Sequence, residues 1–403
     1  MKLIIFSQHF WPEKFRINSL AEQLSKNKKI KKLSVFTAKP NYPNGKIFKG
    51  YNKLYFQKQK KNKFLIFRSQ IIPRGNSSAI NLFFNYISYV FFGLLNIFKI
   101  KSTYDIVFVY CTSPIFQAIP AIIYSKIYKI PLVLWVQDLW PESIIETGYI
   151  KNKILINIIK IITKKIYNSS DLILVQSKKF LNPIGKLTKT KIKVFQNPSE
   201  FTSNRKNKFV FNQNKIKKIY YAGNIGRVQN LKNLVKFCKS TKLKNFKIYL
   251  FGNGSQKKWV QSKIKETHIE KNLEICNFLK DKNFVKEMKK ADCFLVLLSS
   301  GKALEKTIPA KFQTYLYFGK PIISWSDGEV SSLIKKFDLG FSARSNSLKN
   351  FSNCVQNVTK LKKNQLKKFY HNNTSFFNKY FALDRCSKDL IEIIENQLNE
   401  KNN

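Results

Sequence analysis

The feature that most constrains this chain is a repeated order: a short apolar run, a polar turn, then a helical segment. Strands separated by helices favour parallel pairing, so the repeat points to α/β units throughout. A first series of such runs occupies Met1–Ser7, Lys32–Thr37, Tyr104–Cys111, Leu132–Val136, Asp171–Ser177 and Ile192–Phe195. A second series occupies Ile219–Ala222, Lys247–Phe251, Leu273–Phe278, Ala291–Leu298 and Pro321–Trp325. The polar run 199–218 lies between them. The expected organisation is a first α/β domain over 1–198, a linker over 199–218, a second α/β domain over 219–365, and lysine-rich helices over 366–403. With 403 residues, the chain is long enough for two cores.

Two stretches of the second series carry chemistry. Thr307–Glu329 reads as a helix begun by Pro309, with Lys311 in its first turn and Gly319 at its end, then a strand and a polar turn. Free N–H groups and a lysine at a helix start suit a phosphate, although any α/β unit shares this outline. Ile219–Leu234 repeats the order of strand, glycine turn and helix, with Gly223, Asn224 and Arg227 in the turn. Two cationic turns in one domain could clamp a diphosphate. Gly252 and Gly254 form a further turn where backbone can approach a ligand closely.

Taken in order, Tyr-Ala-Gly-Asn-Ile-Gly-Arg, Phe-Gly-Asn-Gly, Ala-Asp-Cys-Phe-Leu-Val, Pro-Ala-Lys and Gly-Lys-Pro resemble the C-terminal domain of family 4 glycosyltransferases of the GT-B type, over about 120 residues. The N-terminal run Phe-Trp-Pro-Glu…Arg-Ile-Asn, followed by Lys-Pro-Asn-Tyr-Pro-Asn-Gly, is similar to the L-fucosaminyltransferase-like group of O-antigen and capsule assembly. The resemblance implies two Rossmann-like domains facing a cleft, a C-terminal helix crossing back to the first, and a nucleotide sugar bound mostly by the second. It implies Arg227 and Lys311 on the diphosphate and main-chain groups near Phe278 and Leu279 on the base. Many relatives carry two glutamates where this chain has Lys306 and Thr314; Glu305 is one place off, and Glu329 is the carboxylate expected at the donor ribose.

In the first domain, the loop 7–13 and the helix after it bring His9, Glu13, Arg16 and Asn18 to a strand end, where open α/β sheets bind ligands. These are the expected acceptor-side residues, with loop packing as the alternative for His9. Asp138, after another strand, either accepts a proton from a sugar hydroxyl or caps a helix.

Charge and cysteines narrow the partners. Lys and Arg number 73 against 23 Asp and Glu, a net charge of +50, which attracts anionic lipid, nucleic acid or phosphorylated substrates. No nucleic-acid module surrounds the basic tail, so no nucleic acid is expected. The six cysteines lack a C-x-x-C pair and read as buried reduced thiols. With three histidines and no Asp-x-Asp, neither a metal site nor a cofactor is expected. Residues 79–98 contain no charge and have the length of a bilayer span. Spanning would split the first domain, leaving a core helix or an interfacial one. The first residues read as a strand rather than a signal peptide, so a cytoplasmic protein is expected, peripheral on the inner face of the membrane.

The resulting expectation is a retaining, metal-independent transferase that moves a sugar from a nucleotide diphosphate donor, UDP-linked, to a lipid-linked saccharide. The alternatives are a GT-B nucleotide-sugar 2-epimerase and a non-catalytic basic protein bound to membrane or nucleic acid.

Overall fold

Strands form where Val, Ile, Leu and aromatic residues run together, and their near-continuous apolarity means that both faces of each sheet are covered. The computed structural model describes residues 1–100, 103–146, 152–203, 209, 215–277, 281–301 and 304–402. The chain divides into two units, Met1–Glu200 with Leu383–Asn403, and Phe201–Ala382.

In the first unit the strands are β1 (Lys2–Phe6), β2 (Lys32–Ala38), β3 (Gln57–Lys61), β4 (Phe64–Ser69), β5 (Ile106–Cys111), β6 (Leu132–Val136), β7 (Leu172–Val175) and β8 (Ile192–Val194). Their order is β3-β4-β2-β1-β5-β6-β7-β8, and every pairing is parallel except β3 with β4. The strand β3 escapes the sequence pattern because it is Gln-Lys-Gln-Lys-Lys, whose alternating lysines suit a sheet edge rather than a core, whereas β4 carries an apolar run, Phe64–Phe67, that the expected series omits.

The second unit holds β9 (Lys217–Ala222), β10 (Phe246–Phe251), β11 (Leu273–Cys276), β12 (Cys293–Leu297), β13 (Ile322–Trp325) and β14 (Gly340–Ala343). Their order is β11-β10-β9-β12-β13-β14, all parallel. In both sheets the order reverses beside the first strand, at β1/β5 and at β9/β12. Crevices at such reversals are where parallel sheets bind ligands.

The return of the chain to the first unit falls at Leu383, later than the 366 read from the sequence. The helix Lys363–Tyr380 stays with the second unit because Phe376, Phe377 and the following Phe381 join the core of Phe312, Leu316 and Phe318. The helix Leu383–Asn402 instead buries Leu390, Ile391 and Ile394 with Ile17 and Leu20 of the first unit.

Ala79–Lys99 is long and apolar enough, by length and composition, to cross a membrane. The sheet excludes a span: β1 and β2 precede this helix, β5 follows it, and β5 pairs with β1. A crossing would tear β5 from β1. The residues the helix buries are Asn85, Ser88, Tyr89, Gly93 and Asn96, which makes it neither a plain core helix nor a span.

Candidate active site

At the reversal of the second sheet, β9 ends in the turn Gly223–Asn230. The helix Ala310–Tyr317 is clipped to that strand end by two residues one turn apart. The Tyr315 hydroxyl accepts from Ala222 N at 2.7 Å and donates to Ala222 O at 3.2 Å. One turn earlier, the Lys311 ammonium donates to the Tyr221 hydroxyl and lies 3.8 Å from the centre of that ring. Tyr221 in turn donates to Asn224 O. Burial pushes the Tyr221 phenol up, so it keeps its proton and remains a donor. Burial pushes Lys311 down to about 7, the position of a cation that has lost water and has no carboxylate among the described residues to replace it.

The glycine turns make this approach possible. A Cβ on Gly252 would lie 1.9 Å from Gly223 O, and one on Gly254 would lie 2.3 Å from Ile225 O. The two loops are laced by Gly223 N to Phe251 O at 2.9 Å and Ile225 N to Asn253 O at 2.8 Å. Only glycine lets them meet so closely.

Beyond the turn, Gly226, Arg227, Lys232, Asn233, Trp259 and Ser345 are among the residues lining a groove of about 510 Å³. Arg227 and Lys232 are both exposed. Lys311 stands at Gly223, the neck of the same loop, with its Nζ 3.4 Å from where a Gly223 Cβ would be. The fold therefore brings Gly223, Asn224, Gly252, Gly254 and Lys311 together, while Arg227 lines the groove beyond the turn. The sequence reading overlooked Lys232; the available signal was its place five residues after Arg227, just inside the helix Leu231–Ser240. Phe278 and Leu279 lie outside the described residues. Glu329 is buried in the first turn of the helix Glu329–Lys336, and Glu305 Oε1 accepts from Gly301 N at 3.3 Å.

In the first unit the expected acceptor-side residues His9, Glu13, Arg16 and Asn18 are bonded to groups of that same unit. Glu13 is buried; its Oε1 accepts from Asn41 N and Tyr42 N, both at 2.7 Å, and its Oε2 lies 3.0 Å from His9 Nδ1. His9 is buried and stacked on Phe15. Asn18 accepts from Trp11 N at 3.0 Å and donates to Glu13 O at 2.6 Å. Arg16 donates to Pro198 O. The reason is physical: loops 7–13 and 39–42 meet under cover, so their backbone N–H groups need partners, and the nearest polar side chains supply them.

Asp138 keeps more freedom. Its Oδ2 accepts from Ser113 N and Ser113 Oγ, each at 2.9 Å, and no hydrogen bond among the described residues falls on Oδ1. Burial pushes its carboxyl up, opposed by the two bonds from Ser113. At neighbouring strand ends, Gln8 Oε1, Gln137 Nε2 and Asn197 Oδ1 are buried without a partner among the described residues. These amides were not singled out from sequence, since only the closed loops reveal that they are unpaired. Among the described residues, no group of three or more His, Cys, Asp or Glu side chains could hold a metal.

Two parallel-sheet, Rossmann-like domains define a GT-B glycosyltransferase fold. Solved structures agree over nearly the full chain. Sucrose-phosphate synthase from Thermosynechococcus elongatus superposes with a TM-score of 0.75 at 11% identity, covering 99% of each chain. Anabaena HepE in complex with UDP gives 0.69 at 11% identity, covering 98% of this chain and 100% of that one. The lipopolysaccharide outer core galactosyltransferase WaaB, in its apo form, gives 0.65 at 14% identity, covering 100% of both. Residues 203–375 match the family described as glycosyl transferases group 1. No curated protein matches the chain by sequence. The family match covers part of the second unit, and the likeness over the whole chain is one of fold.

Proposed function

We propose that the protein transfers a sugar from a UDP-linked donor to a lipid-linked saccharide at the cytoplasmic face of a membrane, with retained anomeric configuration and without a metal. The observation that carries the donor half is the desolvated Lys311 ammonium at the mouth of the glycine turn, with exposed Arg227 at the other end of that turn. As the bond between the anomeric carbon and the phosphate oxygen breaks, the diphosphate gains negative charge. Lys311, held against Tyr221, the exposed Arg227 and the N–H groups at the start of the helix Ala310–Tyr317 suit that charge, the task a metal performs elsewhere. The acceptor hydroxyl attacks from the leaving-group side and its proton passes to the departing phosphate oxygen. Asp138 Oδ1 orients that hydroxyl, since His9 is already committed to Glu13. Surface polysaccharide assembly of the fucosaminyltransferase-like kind, in O-antigen or capsule, is the setting that the N-terminal motifs favour.

The test is thermal stabilisation by a panel of nucleotides and nucleotide sugars, with wild type and Lys311→Ala compared. A shift with UDP that vanishes in the variant supports the donor site and names its base. No shift with any nucleotide, in protein that melts cooperatively, would overturn it. A nucleotide-sugar 2-epimerase would turn over donor alone, so acceptor-dependent release of UDP separates the two activities.

A further inference from the structure

We infer that the outward faces of the helices Ala79–Asn96 and Lys153–Asn168 in the first domain form one docking surface for an anionic lipid bilayer. The inference rests on the membrane location proposed above and names the surface that would provide it. Ile80, Phe83, Phe84, Ile87, Phe91 and Phe98 are all exposed, at 44–69% of their area. At a helical repeat of 3.6 residues they lie along a single stripe. The opposite side of the same helix buries Asn85, Ser88 and Asn96. A soluble helix places these faces the other way round. The polar side is firmly held: Asn85 accepts from Gln8 Nε2 at 2.9 Å and donates to Ile72 O at 2.6 Å, and a Cβ on Gly93 would lie 2.7 Å from Pro120. Rotation of the helix to hide its phenylalanines would break these contacts, so the apolar stripe is built into the fold.

The second helix repeats the pattern. Ile154, Leu155, Ile158 and Ile161 are exposed, while Ile159, Thr163 and Ile166 are buried. Both helices contribute to the same core on one side of the sheet and pack against the turn Ile115–Ala118, so their outward faces share one side of the domain. Neither helix contains an Asp or Glu, and Lys99, Lys153, Lys160 and Lys164 are exposed along them. Aromatic and aliphatic tips bordered by lysines match the acyl and headgroup layers of an anionic leaflet; a protein partner would need acidic groups around an apolar groove. Asn85 also donates to Asn41 Oδ1 at 3.3 Å, so the docked helix would hold the loops that follow β1 and β2.

Flotation of the full-length protein with vesicles tests the surface. Vesicles of phosphatidylcholine alone are compared with vesicles containing phosphatidylglycerol, for wild type, F83S/F91S, I154S/I158S and the second-domain control K239E/K349E. The expected result is partitioning of wild type onto the anionic vesicles, weakened about tenfold or more in F83S/F91S, with unchanged melting and an unchanged thermal shift with UDP. The control should lose less than about twofold, because its lysines act only through diffuse charge. Flotation of F83S/F91S equal to wild type would overturn the inference. So would a wild-type dimer that the same substitutions dissociate while flotation is unaltered, since the occupant would then be a second copy. Vesicle binding without nucleotide-sugar turnover would sink the transferase reading and leave the surface standing; turnover on a soluble acceptor without vesicle binding would do the reverse.

Discussion

The turns at the two sheet reversals begin alike and end differently. After β1, the residues His9, Glu13, Arg16 and Asn18 look reactive by type, yet each of them bonds to its own domain. After β9, Arg227 in the turn and Lys232 in the helix that follows are exposed, and the hydrogen bond of Lys311 among the described residues is to a tyrosine. The two turns differ in whether the folded loops have already satisfied the polar groups. Residue type at a strand end does not tell the two apart.

The largest effect that would break this contrast is at Glu13. Glu13→Ala removes the acceptor of two buried N–H groups and the partner of His9, and should cost about 3–5 kcal/mol in denaturant unfolding. Unchanged stability with a raised acceptor KM would return Glu13 to the acceptor site. Next comes Gly252→Val, expected to destabilise by about 3 kcal/mol and to abolish the UDP thermal shift, because the added Cβ meets Gly223 O. A variant that folds and binds UDP normally would show that the loops need not touch.

Arg227→Ala and Lys311→Ala should each lower kcat/KM by about 1–3 kcal/mol of transition-state stabilisation. Neither should cost stability in the free protein, unlike Glu13→Ala, and that difference is the sharpest statement of the contrast. Near wild-type turnover in either variant would remove that residue from the chemistry.

The smallest effect is in pH dependence. Free Lys311 is held down to about 7, and a bound diphosphate favours its charged form, so binding takes up a proton above that pH. UDP affinity, followed by calorimetry, should be greatest below pH 7 and fall by at most about tenfold per unit above it. Lys311→Arg should flatten the profile; an equally steep profile in that variant would place the titration elsewhere. The same sign governs stability. A folded value below the lysine's ordinary 10.5 carries a cost that is full below about 7 and fades as pH rises towards 10.5. Lys311→Met should therefore melt higher than wild type at neutral pH.

Much of the geometry of the turns after β9 and β10 and of the helix start at Pro309 was legible in the sequence because its signals are local. Gly252 and Gly254 announce a close approach, Pro309 a helix start, and Arg227 and Lys311 a charge at each turn. The strand β3 was not legible, since a lysine-rich edge strand has no apolar run, and neither was the return at Leu383, since a helix with an aromatic face does not name which core it joins.

The sequence by itself determined the order of strands and helices, the glycine turns and the excess of positive charge, because periodicity and backbone freedom are properties of neighbouring residues. Only the tertiary structure decided which polar groups are already satisfied and which face of an apolar helix points outward. Residues 79–96 show why. Composition leaves them open between a core helix and an interfacial one, but the positions that are buried are Asn85, Ser88, Tyr89, Gly93 and Asn96, and Phe83, Phe84 and Phe91 are left outside. Burial is settled by what lies across from a residue in space, and that partner is supplied by distant parts of the chain.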